Sequence, residues 1–132
     1  MDDRLRKMKR IQGVQERLHQ LAEQKLIRLQ REQEELRQAQ VDIVDALNAD
    51  DAFHGLFVDA MAGRLNRLVR ESDKVGRAET MQRKRVREEG LRFKRVERLA
   101  GRLDRAERLN HEKRGFRELL DGIGRDPDAS LP

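Results

Sequence analysis

Apolar residues recur along the first third of the chain at spacings of three, four and seven: Met8, Ile11, Val14, Leu18, Leu21, Leu26, Leu29, Leu36, Ile43 and Leu47. Such spacing places them on one stripe and predicts a helix from about Asp3 to about Leu47. The stripe is not a single heptad. Ile11, Val14, Leu18 and Leu21 follow one register, whereas Ala22, Leu26, Leu29, Leu36, Ile43 and Leu47 follow one shifted by a residue. The expected result is a stutter, which locally unwinds a left-handed coiled coil. Gln33 and Gln40 fall at seam positions between leucines, where they weaken the seam and help to fix its register.

Asn48, Ala49, Asp50 and Asp51 form the first local polar cluster that breaks the pattern. They favour a turn, and Asp50 or Asp51 is placed to cap the next helix by accepting its free N–H groups. A turn this short sets the flanking helices antiparallel. The second stripe runs through Phe53, Phe57, Ala60, Leu65, Leu68, Val75, Val86, Phe93, Val96, Leu99, Leu103, Ala106, Phe116, Leu119 and Ile123, predicting helix from Ala52 to Ile123. Gly76 and Gly90 flank its weakest stretch, leaving a bend or frayed turn open as an alternative to a continuous helix. Gly122 and Gly124 are expected to stop it. Residues 126–132 have little to bury and are expected to form a flexible tail. The fold class is therefore all-α: a long two-helix antiparallel coiled-coil hairpin within residues 1–125, its second helix longer than its first. At 1.5 Å per residue the helices measure about 68 and 108 Å, leaving roughly 27 residues, or about 40 Å, of the second helix unmatched. That overhang is expected at the C-terminal end, and its stripe needs some other partner.

Composition supports long helices over a globular core. Of 132 residues, 42% are charged and only 3% aromatic, with four Phe and neither Trp nor Tyr. Proline is absent before Pro127, and Leu, Val, Ile and Met recur throughout. The texture is that of helix formers rather than of a disordered segment. With no cysteine, disulfides and thiolate metal sites are excluded. No apolar run reaches membrane-spanning length and no secretory leader is evident in MDDRLRKMKRIQ, so a cytoplasmic location is expected.

Charge is unevenly placed. From Arg77 to Arg117 there are 15 basic and 7 acidic residues, a net of +8, against a net of +5 for the whole chain. A solvated helical face is the plain explanation. An electropositive handle for an acidic protein surface is the functional one. Nucleic acid is the least favoured, since neither zinc spacing, a basic fork leading into a clean zipper nor interleaved aromatics are present. Around the expected turn, Phe53, Leu56, Phe57, Val58 and Met61 form an apolar cluster. It either plugs the hairpin tip or offers surface there.

No arrangement in the sequence points to catalysis. His19, His54 and His111 are isolated, and Ser72 and Ser130 lie in no nucleophile motif. Single glycines make no phosphate loop. The abundant carboxylates lack the shaped, partly buried site that acid–base chemistry requires. A non-enzymatic protein with no cofactor and no metal is expected.

The uneven hairpin, the arginine-, glutamine- and glutamate-rich helices and the opening segment RLRKMKRIQGVQERLHQLAEQKL resemble FliJ-like flagellar export proteins, and more broadly the small coiled-coil stalk proteins of type III secretion. The resemblance covers almost the whole chain and implies a chaperone-like stalk. Its partners would be the hexameric export ATPase, the cytoplasmic domain of the export gate and export chaperones. Such a protein would be cytoplasmic or peripheral at the inner membrane through that apparatus, and a monomer or weak homodimer. The helix ends near Met8 to Leu18 and Phe93 to Ile123 would enter the ring, and the tip near Phe53 to Met61 would meet another component. Together with the charge pattern, this gives Phe53, Phe57, Met61, Phe93, Arg95, Arg98, Arg102, Arg105 and Phe116 as candidate protein-binding residues. A generic coiled-coil adaptor and an oligomeric structural rod fit the same local features.

Overall fold

The computed structural model describes residues 3–49 and 55–125. It is an all-α two-helix antiparallel hairpin. Helix α1 spans Asp3–Asn48, 46 residues, and α2 spans Gly55–Arg125, 71 residues. Proline-free sequence rich in Leu, Arg, Glu and Gln carries both helices without interruption. Asp3 lies in the first turn of α1, where its charge favours the helix dipole. At the other end Ala49 donates its N–H to the carbonyl of Asp45 at 2.8 Å, closing the last turn. The expected caps Asp50 and Asp51, and the proposed helix start at Ala52, lie outside the described residues.

The chain divides into two compact units, Arg17–Gly90 and Met1–Glu16 with Leu91–Pro132. In the first, Gln33 Nε2 donates to Ser72 Oγ at 3.0 Å and Gln82 Nε2 donates to the Ala22 carbonyl at 3.0 Å. His19 lies against Gly90, its Nε2 3.2 Å from where a Cβ would stand. As residue numbers fall along α1 they rise along α2, which is the antiparallel register. In the second unit Lys9 of α1 and Asp104 of α2 approach each other, their charged atoms 4.0 Å apart.

The seam differs from the expected one. The seam of α1 runs Leu5, Met8, Gln12, Gln15, His19, Ala22, Leu26, Leu29, Gln33, Leu36, Gln40, Ile43 and Leu47, all buried or half-buried, with Ala39 and Ala46 half-buried beside it. The spacing alternates three and four throughout, so α1 has no stutter. Ile11, Val14, Leu18 and Leu21 are exposed by 49, 61, 44 and 44%, outside the seam they were expected to form. The reason is phase. Leu5 and Met8 already share the heptad register of Ala22 and Leu26, and an unbroken helix between them carries Gln12, Gln15 and His19 inward. In α2 the matching strip is Met61, Leu65, Leu68, Ser72, Val75, Glu79, Gln82, Val86, Glu89, Phe93, Val96, Ala100, Leu103 and Glu107.

Helix α2 continues through both Gly76 and Gly90, which decides the open alternative. It runs to Arg125, one residue beyond Gly124. A glycine costs about 1 kcal/mol in a helix but breaks no hydrogen bond of the ladder. The seam ends at Glu107, and every described side chain from Arg108 to Gly124 is exposed. The unpaired C-terminal stretch is thus nearer 18 than 27 residues, because Gly55 to Ala60 at the other end of α2 are exposed as well.

The resulting core is thin. Leu5, Ala22, Ile43, Val75 and Ala100 are the buried apolar residues among those described, joined by the polar Gln82 and Glu89, and no large side chain is completely enclosed. Gln33 is satisfied on one side only, since its Oε1 is buried without a partner. Ser72→Ala removes the acceptor of its amide and is expected to cost about 1 kcal/mol, because the remaining polar group stays desolvated. The double change Gln33→Leu with Ser72→Ala removes both polar groups and is expected to melt at or above the wild-type temperature. Thermal melts followed by circular dichroism check both values, and a double variant less stable than Ser72→Ala would refute this account of the pair.

Candidate protein-binding surfaces

Because Val96, Ala100 and Leu103 face the seam, the intervening residues of α2 face away from it. Arg95, Arg98, Arg102 and Arg105 occupy this outer face at spacings of three, four and three, forming one row of exposed guanidinium groups. None of the four is held by an ion pair or hydrogen bond to another described residue. The nearby carboxylate of Asp104 sits instead at the seam edge, between Lys9 at 4.0 Å and Arg108 at 3.1 Å. Two arginines elsewhere are paired within their own helix. Arg37 meets Glu34 at 2.6 Å and Arg83 meets Glu79 at 2.6 Å. The hydrogen bond from Arg37 lowers the Glu34 pKa below the usual carboxylate value and raises that of Arg37.

The other candidate residues separate. Phe53 lies outside the described residues. Phe57 is 36% exposed and Met61 half-buried, with Leu56 at 85% and Val58 at 40% exposure beside them. The start of α2 therefore presents apolar side chains to its surroundings. Phe93 is half-buried in the seam with Val96 and Ala100, so its principal role is helix pairing. Phe116, 62% exposed, lies beyond the seam. The structure thus brings the four arginines together on one face and leaves the phenylalanines in three different settings.

One surface was not anticipated. Val41 and Val44 of α1 and Leu65 and Val69 of α2 line an apolar groove of about 420 Å³, with Arg37, Gln40 and Asp45 at its edges. Val41, Val44 and Val69 flank the seam rather than forming it. A strict heptad count from Leu5 would have placed them there. A second groove, about 270 Å³, passes between Leu18, Leu21 and Lys25 on α1 and Gln82, Arg85 and Glu89 on α2. Both are open furrows between helices.

Among the described residues, no group of three or more His, Asp or Glu side chains converges as metal ligands would. His19 is directed to a local partner, its Nε2 3.0 Å from Glu23 Oε1 one turn on. No helix among the described residues is long and apolar enough to cross a membrane. Fold and surfaces are those of a two-helix coiled-coil hairpin, consistent with a structural or adaptor module. Comparison with protein-family models, curated proteins and solved structures gives no match.

Proposed function

We propose that this chain is a non-enzymatic coiled-coil adaptor that holds an acidic protein surface on the outer face of distal α2. The observation that carries the reading is the row Arg95, Arg98, Arg102 and Arg105, four exposed cations on one helix face without acidic partners among the described residues. Fixed positive charge on one face accelerates encounter with an acidic partner and disfavours basic ones. Each guanidinium offers a planar pair of donors suited to a carboxylate. A helix supplies the spacing without further ordering cost. The resemblance to export-stalk proteins makes the hexameric export ATPase, the export-gate cytoplasmic domain and export chaperones the first partners to try, in a cytoplasmic setting.

The test is a quantitative pulldown with the full chain and with a variant carrying Arg95→Glu, Arg98→Glu, Arg102→Glu and Arg105→Glu. Since the four face solvent, the variant is expected to keep its helicity. Partner capture should fall at least tenfold, and wild-type capture should weaken as salt shortens the reach of exposed charge. Undiminished protein capture by the variant would overturn the reading. So would loss confined to nucleic acid, with protein partners unaffected.

A further inference from the structure

The end of α2 beyond the seam carries apolar side chains that continue the arginine row. Leu109, Phe116, Leu119 and Ile123 are exposed by 52, 62, 61 and 58%. From Arg105, steps of four, three, four, three and four residues reach Leu109, Glu112, Phe116, Leu119 and Ile123 in turn, all exposed. Arg95, Arg98, Arg102 and Arg105 alternate three and four in the same way. This line keeps a fixed offset from the seam, since Arg98 follows Val96, Arg102 follows Ala100 and Leu109 follows Glu107, each by two residues. Two residues turn a helix by about 200°. The side of α2 opposite the seam therefore bears one line from Arg95 to Ile123, about 42 Å long. Its first part is basic and its second apolar, apart from Glu112.

Alternating steps of three and four are how one helix meets another along a coiled-coil seam. A partner helix repeats at the same pitch and stays in contact along the whole line, whereas an extended chain falls out of step with it. The charges set the composition of that partner. The four arginines have no acidic partner among the described residues, so their part of the line calls for carboxylates. The part from Leu109 to Ile123 calls for apolar side chains, with a cation opposite Glu112. A bilayer suits the line less well. A helix lying in a membrane interface keeps its cations on the polar face and buries the other. Here arginines and apolar residues share one face, so sinking Phe116 into a bilayer would draw Arg98, Arg102 and Arg105 toward the acyl chains.

We infer that the outer line of distal α2 is a docking seam for a helix of another protein, acidic where it faces Arg95 to Arg105 and apolar where it faces Leu109 to Ile123. The inference rests on the reading of the arginine row as a site for an acidic protein, and it gives that partner a shape and a second point of hold. Burial of the apolar part supplies affinity. The arginines select the partner and set its register.

Fluorescence anisotropy of a labelled synthetic peptide with the full chain tests it. The peptide places four glutamates, a leucine, a lysine and three leucines at successive three-four positions on an alanine and glutamine background. It is made in both sequence directions, so that parallel and antiparallel docking are each available. A control of the same composition alternates glutamate and leucine along the line. One direction is expected to bind about tenfold tighter than the control, or better. Leu109→Gln with Phe116→Gln changes no charge and lies outside the seam. That double variant should bind the peptide about tenfold more weakly with an unchanged thermal melt. If neither direction outbinds the control, the inference fails. A glutamine variant that binds like the wild type also overturns it, while the arginine row by itself is judged by the pulldown above. Tighter binding to phosphatidylserine vesicles than to the peptide, or a dimer of the chain that the glutamine variant loses, gives the line to another occupant and overturns it as well.

Discussion

Val75→Asp is expected to cost about 3–5 kcal/mol, through a carboxylate desolvated in the seam without a cation to pair with. Val75 is only 5% exposed. One turn before it along α2, Ser72 already accepts the Gln33 amide from α1. Domains have only about 5–15 kcal/mol of stability in total, and a two-helix core is at the poor end. The variant should therefore lose most of its helical signal near room temperature. Val14→Asp is the control. Val14 is 61% exposed, and its substitution should change stability by no more than about 0.5 kcal/mol. The two valines look alike as members of apolar stripes, and circular dichroism melts separate them. A Val14→Asp chain as unstable as Val75→Asp would restore the shifted register and its stutter.

Replacing Gly13, Gly63 and Gly76 together by alanine should raise stability by about 2–3 kcal/mol, close to 1 kcal/mol for each helical glycine removed. All three lie inside continuous helix, and none has a left-handed backbone. A Cβ at Gly13 or Gly63 meets nothing within 4 Å, and at Gly76 it meets only Gln33 Nε2 at 3.8 Å, an ordinary contact. The sites share no partner, so their effects should add. Gly90→Ala should gain less, because His19 must give way at 3.2 Å. The readout is the denaturant midpoint, which should rise with an unchanged slope. A midpoint that falls in the triple variant would mean that one of these glycines serves a backbone shape other than helix.

The helical hairpin, the greater length of α2 and the placement of Gln33 and Gln40 in the seam were legible in residue spacing. The register of the first half of α1 was not. Ile11, Val14, Leu18 and Leu21 are more apolar than Gln12, Gln15 and His19, so hydrophobicity favoured the wrong row. Helix geometry decides otherwise, since the turns before and after already face α2 and the helix between them cannot rotate independently. Leu5, which begins the observed phase, was the overlooked signal. The arginine row was visible as excess charge, but its outward direction required the seam on the opposite side of α2. Phe93 was misleading for the same reason: an aromatic in a basic stretch resembles a surface anchor until the seam is known to pass through it.

The two amide bonds across the seam, Gln33 to Ser72 and Gln82 to the Ala22 carbonyl, also bear on how the pair responds to tension. Leucine layers are nearly interchangeable, so a pull along the axes could advance one helix past the other by a heptad, about 10 Å, and find similar greasy contacts again. The hydroxyl that Gln33 bonds has no copy at that distance, where Leu65 or Glu79 stands in place of Ser72, whereas Gln82 meets another main-chain carbonyl. Both bonds must rupture before any slip is completed, and only that of Gln82 can re-form with an equivalent acceptor. Register along the axis is therefore favoured by the Gln33–Ser72 pair, while a force that peels the helices apart meets the seam one layer at a time.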